Sequence, residues 1–188
     1  KKLFVISDIK YTSILNINNL QINNFEDSDF FKSMSVRTRQ SYRYSIKRKK
    51  YTVKNYFDKQ LIKNLINLTY ERQSKKIEFD IDKHLNILEK LQEEKLLVSY
   101  VCEDEKGDIL SKVIFGLNSD YATFLHGARS DKDSGNDYSM VYLLIYSFNE
   151  LKKRNISKID LEGMNSPKRS FFKNGFGGSL EPYYSIKF

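Results

Sequence analysis

The spacing of apolar residues alternates between the helical and the strand period along this chain, and each switch marks an element. Residues 2–6 read as a short strand and the Asn-rich stretch 16–24 as irregular. Phe31, Met34, Thr38, Tyr42 and Ile46 recur at helical spacing, which predicts one helix over about 28–49. Residues 51–56 alternate as a strand does. Asp58 then caps a helix that runs to about Glu71 and turns Leu61, Leu65 and Leu68 inward. Asp80 or Asp82 starts another, built on Leu85, Leu88 and Leu91. From Leu97 the period drops to two, and 97–103, 109–117 and 121–128 predict an antiparallel meander with turns at 105–108 and 118–120. Asp137 or Ser139 caps an apolar helix over 140–151, which closes on Lys152, Lys153 and Arg154 beside its negative end. Residues 158–162 form a fifth core strand, Pro167 sits in the first turn of a short helix over about 166–174, and 182–188 form the last strand. The order predicts an α+β domain whose mixed, mostly antiparallel sheet is flanked by helices.

Composition narrows the class. The 188 residues are 40% hydrophobic and include 13 Phe and 13 Tyr but only two Pro, enough to build a core and exclude global disorder. One cysteine, Cys102, excludes an internal disulfide and a cysteine-only metal site, and a core position in its strand is expected for it. No apolar run approaches the ~18 residues of a membrane span. With no leader at its start, the chain reads as a soluble cytoplasmic domain. Residue 1 is Lys, which is also what a piece of a longer protein would show.

Charge adds a second signal. Nine basic residues and no acidic one lie between Lys32 and Lys54, against 23 basic and 24 acidic residues elsewhere, so the net charge of +8 resides in this one segment. Arg39, Arg43, Lys47 and Lys50 share a stripe beside the apolar one. Such a helix is either a solvated face or a site for an anionic partner: a nucleotide, a phosphorylated carrier lipid or RNA. No metal-ligand spacing, Gly-x-Ser-x-Gly elbow, Walker loop or dinucleotide fingerprint occurs, so no metal is expected.

The carboxy-terminal third carries a resemblance. Phe124-Leu-His-Gly-Ala128, Lys158-Ile-Asp-Leu-Glu-Gly163, Asn165-Ser-Pro-Lys-Arg169, and above all Phe171-Phe-Lys-Asn-Gly-Phe-Gly-Gly178 followed by Pro182-Tyr-Tyr184, resemble the closing segment of the FemABX peptidyltransferases and of the related CelD-type acetyltransferases, both groups of the GNAT fold. The basic stretch 35–50 resembles the arginine-rich helix that opens the second of their two tandem domains. The resemblance implies a GNAT-like domain over 1–188, standing alone or as the second half of a tandem protein. It implies an N-acyltransferase that moves an acetyl or aminoacyl group from coenzyme A or tRNA to an amine on a cell-envelope amino-sugar or peptidoglycan precursor. Peripheral contact with a membrane surface is compatible with that substrate; a nucleic-acid-binding module using residues 32–54 is the alternative.

Lys173 matches the lysine of the family's Phe-Lys pair, which is implicated in oxyanion stabilisation. Glu162, at the end of the fifth strand, is either an exposed carboxylate or a base for the incoming amine. His126 either faces the acyl donor or fills a half-buried position. Arg129, Lys168 and Arg169 flank the same cleft and suit a phosphate or carboxylate. Phe172, Arg39, Arg43 and one of Tyr183 and Tyr184, on opposite faces of the last strand, complete the candidate substrate site. The glycine-rich pyrophosphate loop of acetyl-CoA enzymes in this fold is missing, since 128–137 contains only Gly135. Ser134, Gly135 and Ser139 still precede a helix whose amino end would favour an anion.

Overall fold

The computed structural model describes residues 5–48, 50–133 and 138–187. Among the described residues seven strands and six helices follow one another as β1 (Val5–Asn16), a 3-10 turn (Phe25–Asp27), α1 (Asp29–Ser33), α2 (Val36–Arg48), β2 (Thr52–Asn55), α3 (Lys59–Arg72), α4 (Ile81–Glu93), β3 (Leu97–Glu103), β4 (Ile109–Asn118), β5 (Tyr121–Arg129), α5 (Tyr138–Lys153), β6 (Lys158–Asp160), α6 (Pro167–Asn174) and β7 (Ser179–Lys187). One sheet holds all the strands in the order β2-β3-β4-β5-β6-β1-β7. Every neighbouring pair is antiparallel except β5–β6, which runs parallel.

Two apolar clusters sandwich the sheet. On one face α5 buries Val141, Leu144, Ile145, Phe148 and Leu151 against Val113, Phe115, Ile159 and Leu161. Each such side chain contributes about 1.5–3 kcal/mol. On the other face α3 and α4 cover β3 and β4 with Ile62, Ile66, Leu85 and Leu88. Asp58 caps α3 as expected, and of the two candidates Asp80 caps α4, the two carboxylates accepting from the Leu61 and Lys83 N–H groups. The buried stripe of α3 is Ile62, Leu65 and Ile66: Leu65 faces inward as expected, but Leu61 and Leu68 line an outer groove instead.

The long basic helix is two helices. Met34 is extended (φ −67°, ψ 149°), and the Ser35 side chain caps α2 by accepting from Thr38 N–H. The break is imposed from outside, because the turn after α6 docks on it. Ser35 N–H donates to the Gly175 carbonyl at 2.9 Å, and a Cβ at Gly175 would stand 2.3 Å from Thr38 Oγ1. Gly177 adopts φ +81°, where a Cβ would meet the Ser33 carbonyl oxygen at 2.8 Å. With the phase reset, Thr38, Tyr42 and Ser45 turn inward while Ile46 is exposed.

The first strand is longer than its apolar start suggests and lies between β6 and β7. A register shift between Ile6 and Asp8 puts Ile6 and Ile9, three positions apart, on one face of the β1–β7 ladder. Tyr11, Leu180, Tyr184 and Ile186 share that face, and all six side chains are exposed. β7 begins at Ser179, ahead of the expected 182, because it pairs with Ile14. Pro182, within β7, is tolerated because that strand forms the edge of the sheet.

Candidate active site

β5 and β6 pair only at Tyr121–Lys158, Ala122–Ile159 and Thr123–Asp160, and beyond that point they part. β5 continues to Arg129, while the chain after β6 turns through Glu162 (φ +49°) and Gly163 (φ +55°). Into this opening comes Lys173, from the last turn of α6. Its ammonium donates to the carbonyls of Leu161 and Glu162, the latter at 2.8 Å, and lies 4.9 Å from the centre of the Phe124 ring. Two carbonyls take two of its three N–H groups, leaving the third for a further acceptor. Burial, followed by the positive charge of Arg169, lowers the Lys173 pKa to about 8, while Glu162 and Asp160 oppose the shift.

The packing of α6 fixes this lysine. Pro167 opens the helix, Phe172 packs on Phe176 with ring centres 5.5 Å apart, and Phe176 is wholly buried against Phe148. Phe124 can lie beneath the ammonium because residue 127 is glycine: a Cβ there would come within 2.3 Å of the Phe124 ring. Glu162 is exposed beside the lysine. Its pKa is raised, first by desolvation and then by Asp160, with Lys173 acting the other way.

On the other face of the parting strands, Asp160 accepts hydrogen bonds from Thr12 Oγ1, from Glu162 N–H at 2.7 Å and from Tyr121 Oη at 3.3 Å. Burial, then the charge of Asp160, pushes the Tyr121 phenol up to about 12. Alongside α6 a cavity of about 400 Å³ is lined by Ser35, Arg37, Thr38, Ser41, Pro167 and Phe171, among others. The Arg37 guanidinium stands 5.6 Å from the centre of the exposed Phe171 ring. Asp160, Tyr121, Phe124 and Arg37 were not among the site residues expected from sequence. Asp160 and Phe124 fell inside quoted motifs, but nothing in their spacing set them apart from sheet residues.

The structure therefore brings together Lys173, Glu162, Arg169 and Phe172, and separates others. His126 does not share a face with Phe124. A bulge at Leu125 pairs Phe124 with Phe115 but His126 with Ile114, placing the imidazole on the side covered by α3 and α4. There burial lowers its pKa to about 4, aided by His84 and Lys112, and its Nε2 is buried without a hydrogen-bond partner. Below its ordinary value of 6.5 the unfolded chain takes up a proton that the folded protein refuses. Stability is thus expected to fall between pH 6.5 and 4, by up to about 1.4 kcal/mol per pH unit from this residue. Urea midpoints measured across that range should flatten in His126→Leu.

Ser139 is buried and donates to Asp133 at 2.8 Å, and Arg129 stands 3.9 Å from the same carboxylate, so both are engaged at the head of α5 by an internal anion. Ser134, Gly135 and Asp137 lie outside the described residues, as does the Lys168 side chain. Arg43 bonds to Glu26 at 2.6 Å and lies over the Phe31 ring, which makes it part of the α1–α2 packing rather than of the cavity lining. Arg39 is half-buried on α2, between Thr38 of the cavity wall and Arg43. Elsewhere in the basic segment Lys50 pairs with Glu105 and Lys54 with Glu103, drawing counter-charge from the end of β3 and the turn after it. Tyr183 sits on β7 opposite Lys10, on the face of Thr12 and Glu181, and is exposed. Cys102 is a core residue whose thiol burial pushes up to about 12. Among the described residues no cluster of potential metal ligands occurs, and no helix is long and apolar enough to cross a membrane.

A mixed sheet opened between two parallel strands, with a helix packed behind the opening, is the GNAT fold, and solved structures bear this out. FemX superposes with a TM-score of 0.74 over 98% of this chain and 66% of its own, at 15% identity. The carboxy-terminal domain of a putative lysylphosphatidylglycerol synthetase from Agrobacterium fabrum gives 0.57 over 95% of this chain and 61% of its own, at 12% identity. A GNAT-family acetyltransferase from Staphylococcus aureus Mu50 gives 0.54 over 66% and 82%, at 14% identity. This chain thus has a GNAT fold of the FemX kind and spans about two thirds of the length of FemX or less of the longer relatives. No protein-family model and no curated protein matches the sequence.

Proposed function

We propose that this protein is an N-acyltransferase that transfers an acyl or aminoacyl group to an amine on a cell-envelope amino-sugar or peptidoglycan precursor. The observation that carries the proposal is the Lys173 ammonium held in the opening between β5 and β6 with one N–H to spare. In this scheme the amine nitrogen attacks the acyl carbon, and the carbonyl electron pair moves onto oxygen, where Lys173 stabilises it. Glu162, with its pKa raised, takes the proton lost by the amine. The intermediate collapses by expelling the carrier as a thiolate or a ribose alkoxide, which then takes up a proton. The cavity beside α6, with Arg37 and three hydroxyls on its wall, suits an anionic carrier. Arg169, Lys168, Phe172 and Tyr183 remain candidates for the acceptor.

The donor is an acyl-CoA or an aminoacyl-tRNA. Two observations favour a carrier held at α2 and α6 over one anchored at the head of α5: the Asp133 carboxylate already lies among Ser139 and Arg129 there, and the Arg37 cavity lies elsewhere. We also propose that the chain is the second GNAT-like unit of a longer tandem protein. Its length relative to FemX and the exposed apolar face of β1–β7 are what a neighbouring unit would account for. The test is to incubate the protein with acetyl-CoA or with charged tRNA and a nucleotide-linked amino sugar or muropeptide amine, and to read amide formation by mass spectrometry. Amide with either donor identifies the carrier. No amide with any pairing, together with no thermal shift by either donor, refutes the proposal.

A further inference from the structure

The geometry points to Asp160 as the positioning residue of this site: its carboxylate sets the turn after β6 and, through that turn, the place of the Lys173 ammonium. The inference rests on the role given to Lys173 above, but its test does not require turnover.

Glu162 is a non-glycine residue at φ +49°, a conformation that costs on the order of 1 kcal/mol or more and persists only where neighbours impose it. What imposes it is Asp160 Oδ1, which accepts the Glu162 N–H two residues on, at 2.7 Å. That oxygen is itself held by Thr12 Oγ1 from β1, and Oδ2 accepts from Tyr121 on β5. Leu161 N–H donates to the Ser13 carbonyl at 2.9 Å, so the turn is anchored on both sides. Its product is a pair of carbonyls, from Leu161 and Glu162, that converge on Lys173 Nζ. Without Asp160 Oδ1, Glu162 would relax to negative φ and its carbonyl would leave the lysine. Asp160 also supplies negative charge to the ammonium together with Glu162, while Arg169 opposes both. Tyr121 on β5 bonds to this carboxylate, and Glu181 on β7 acts on the same phenol.

Two substitutions separate the two effects. Asp160→Asn keeps an oxygen for the Glu162 N–H and removes the charge. Asp160→Ala removes both. The readout is competitive labelling of Lys173 with acetic anhydride across pH 6 to 11 (reaction conditions, roughly the span of ordinary lysine titration), quantified by peptide mass spectrometry. In Asp160→Asn the turn survives and the labelling midpoint should move down. In Asp160→Ala the ammonium is released to solvent, so the midpoint should move up towards that of an ordinary lysine, with several-fold greater labelling. Where turnover is measurable, kcat should fall roughly 100-fold in Asp160→Ala, the scale of a 1 Å misplacement, with KM little changed.

A Lys173 midpoint in Asp160→Ala that matches wild type overturns the inference, as does an upward shift in Asp160→Asn. Should the alanine variant fail to fold, the direction of shift in Asp160→Asn decides alone. Absence of acyl transfer in wild type would refute the proposed function while leaving this labelling result intact.

Discussion

Lys173→Ala is expected to lower kcat for acyl transfer by about 10²–10³, the effect of removing one preorganised oxyanion donor. KM for the amine should change little, because the lost interaction strengthens only as the carbonyl oxygen becomes negative. The wild-type pH–rate profile should carry a falling limb near the lowered lysine pKa of about 8, where the ammonium gives up its proton. That limb should be missing from the residual activity of the variant. Steady-state kinetics across pH with a single donor and acceptor checks all three statements. Unchanged kcat would remove the ammonium from the chemistry. The variant should remain folded, since Lys173 is only half-buried and its loss removes two hydrogen bonds and one ring contact but leaves Phe172 and Phe176 in place.

Phe176→Ala should have the largest effect on stability, about 3–5 kcal/mol, as for other aromatic truncations in a filled core. The Phe176 ring is wholly buried, with edge contacts to Phe148 at 5.6 Å and Phe172 at 5.5 Å between ring centres. It ties the turn after α6 to α5. At roughly 2–4 °C per kcal/mol for a chain of this size, the melting temperature should fall by about 6–20 °C. Activity should fall even well below the melting point, because α6 carries Lys173 and loses its anchor. Thermal unfolding and turnover, followed in the same preparation, test the coupling. A destabilised variant with full turnover would show that the lysine is held by the turn after β6 alone.

The difference between these residues explains what could be read in advance. Phe171-Phe-Lys-Asn-Gly-Phe-Gly-Gly178 looked like a catalytic lysine beside a tight turn, and in the structure Lys173 does enter the opening. Gly177 supplies the turn at φ +81°, but Gly175 and Gly177 also allow close approach to α1 and α2, which breaks the basic helix at Ser35, while Gly178 lies against β1. Periodicity along one segment cannot register a break imposed by another. His126 takes the second of its two expected places, a half-buried position away from the opening, for a related reason. Alternation puts residues 124 and 126 on one face, and a one-residue bulge at Leu125 reverses it. Arg43 is expected at the substrate site from sequence, because its partner, Glu26, lies 17 residues away and leaves no local signal.

The residue pattern by itself determined the elements of the meander, the Asp58 cap and the apolar α5, because each depends on neighbours within a few positions or on the period at which a face is buried; Lys173 stood out only through the resemblance of its segment to a known family. Tertiary structure alone decided that β1 enters the sheet between β6 and β7, and that Asp160 joins Thr12, Tyr121 and Glu162. It also decided which cations find carboxylates. These are pairings between distant parts of the chain, settled by the free energy of closing the whole core and by geometry that no local spacing records.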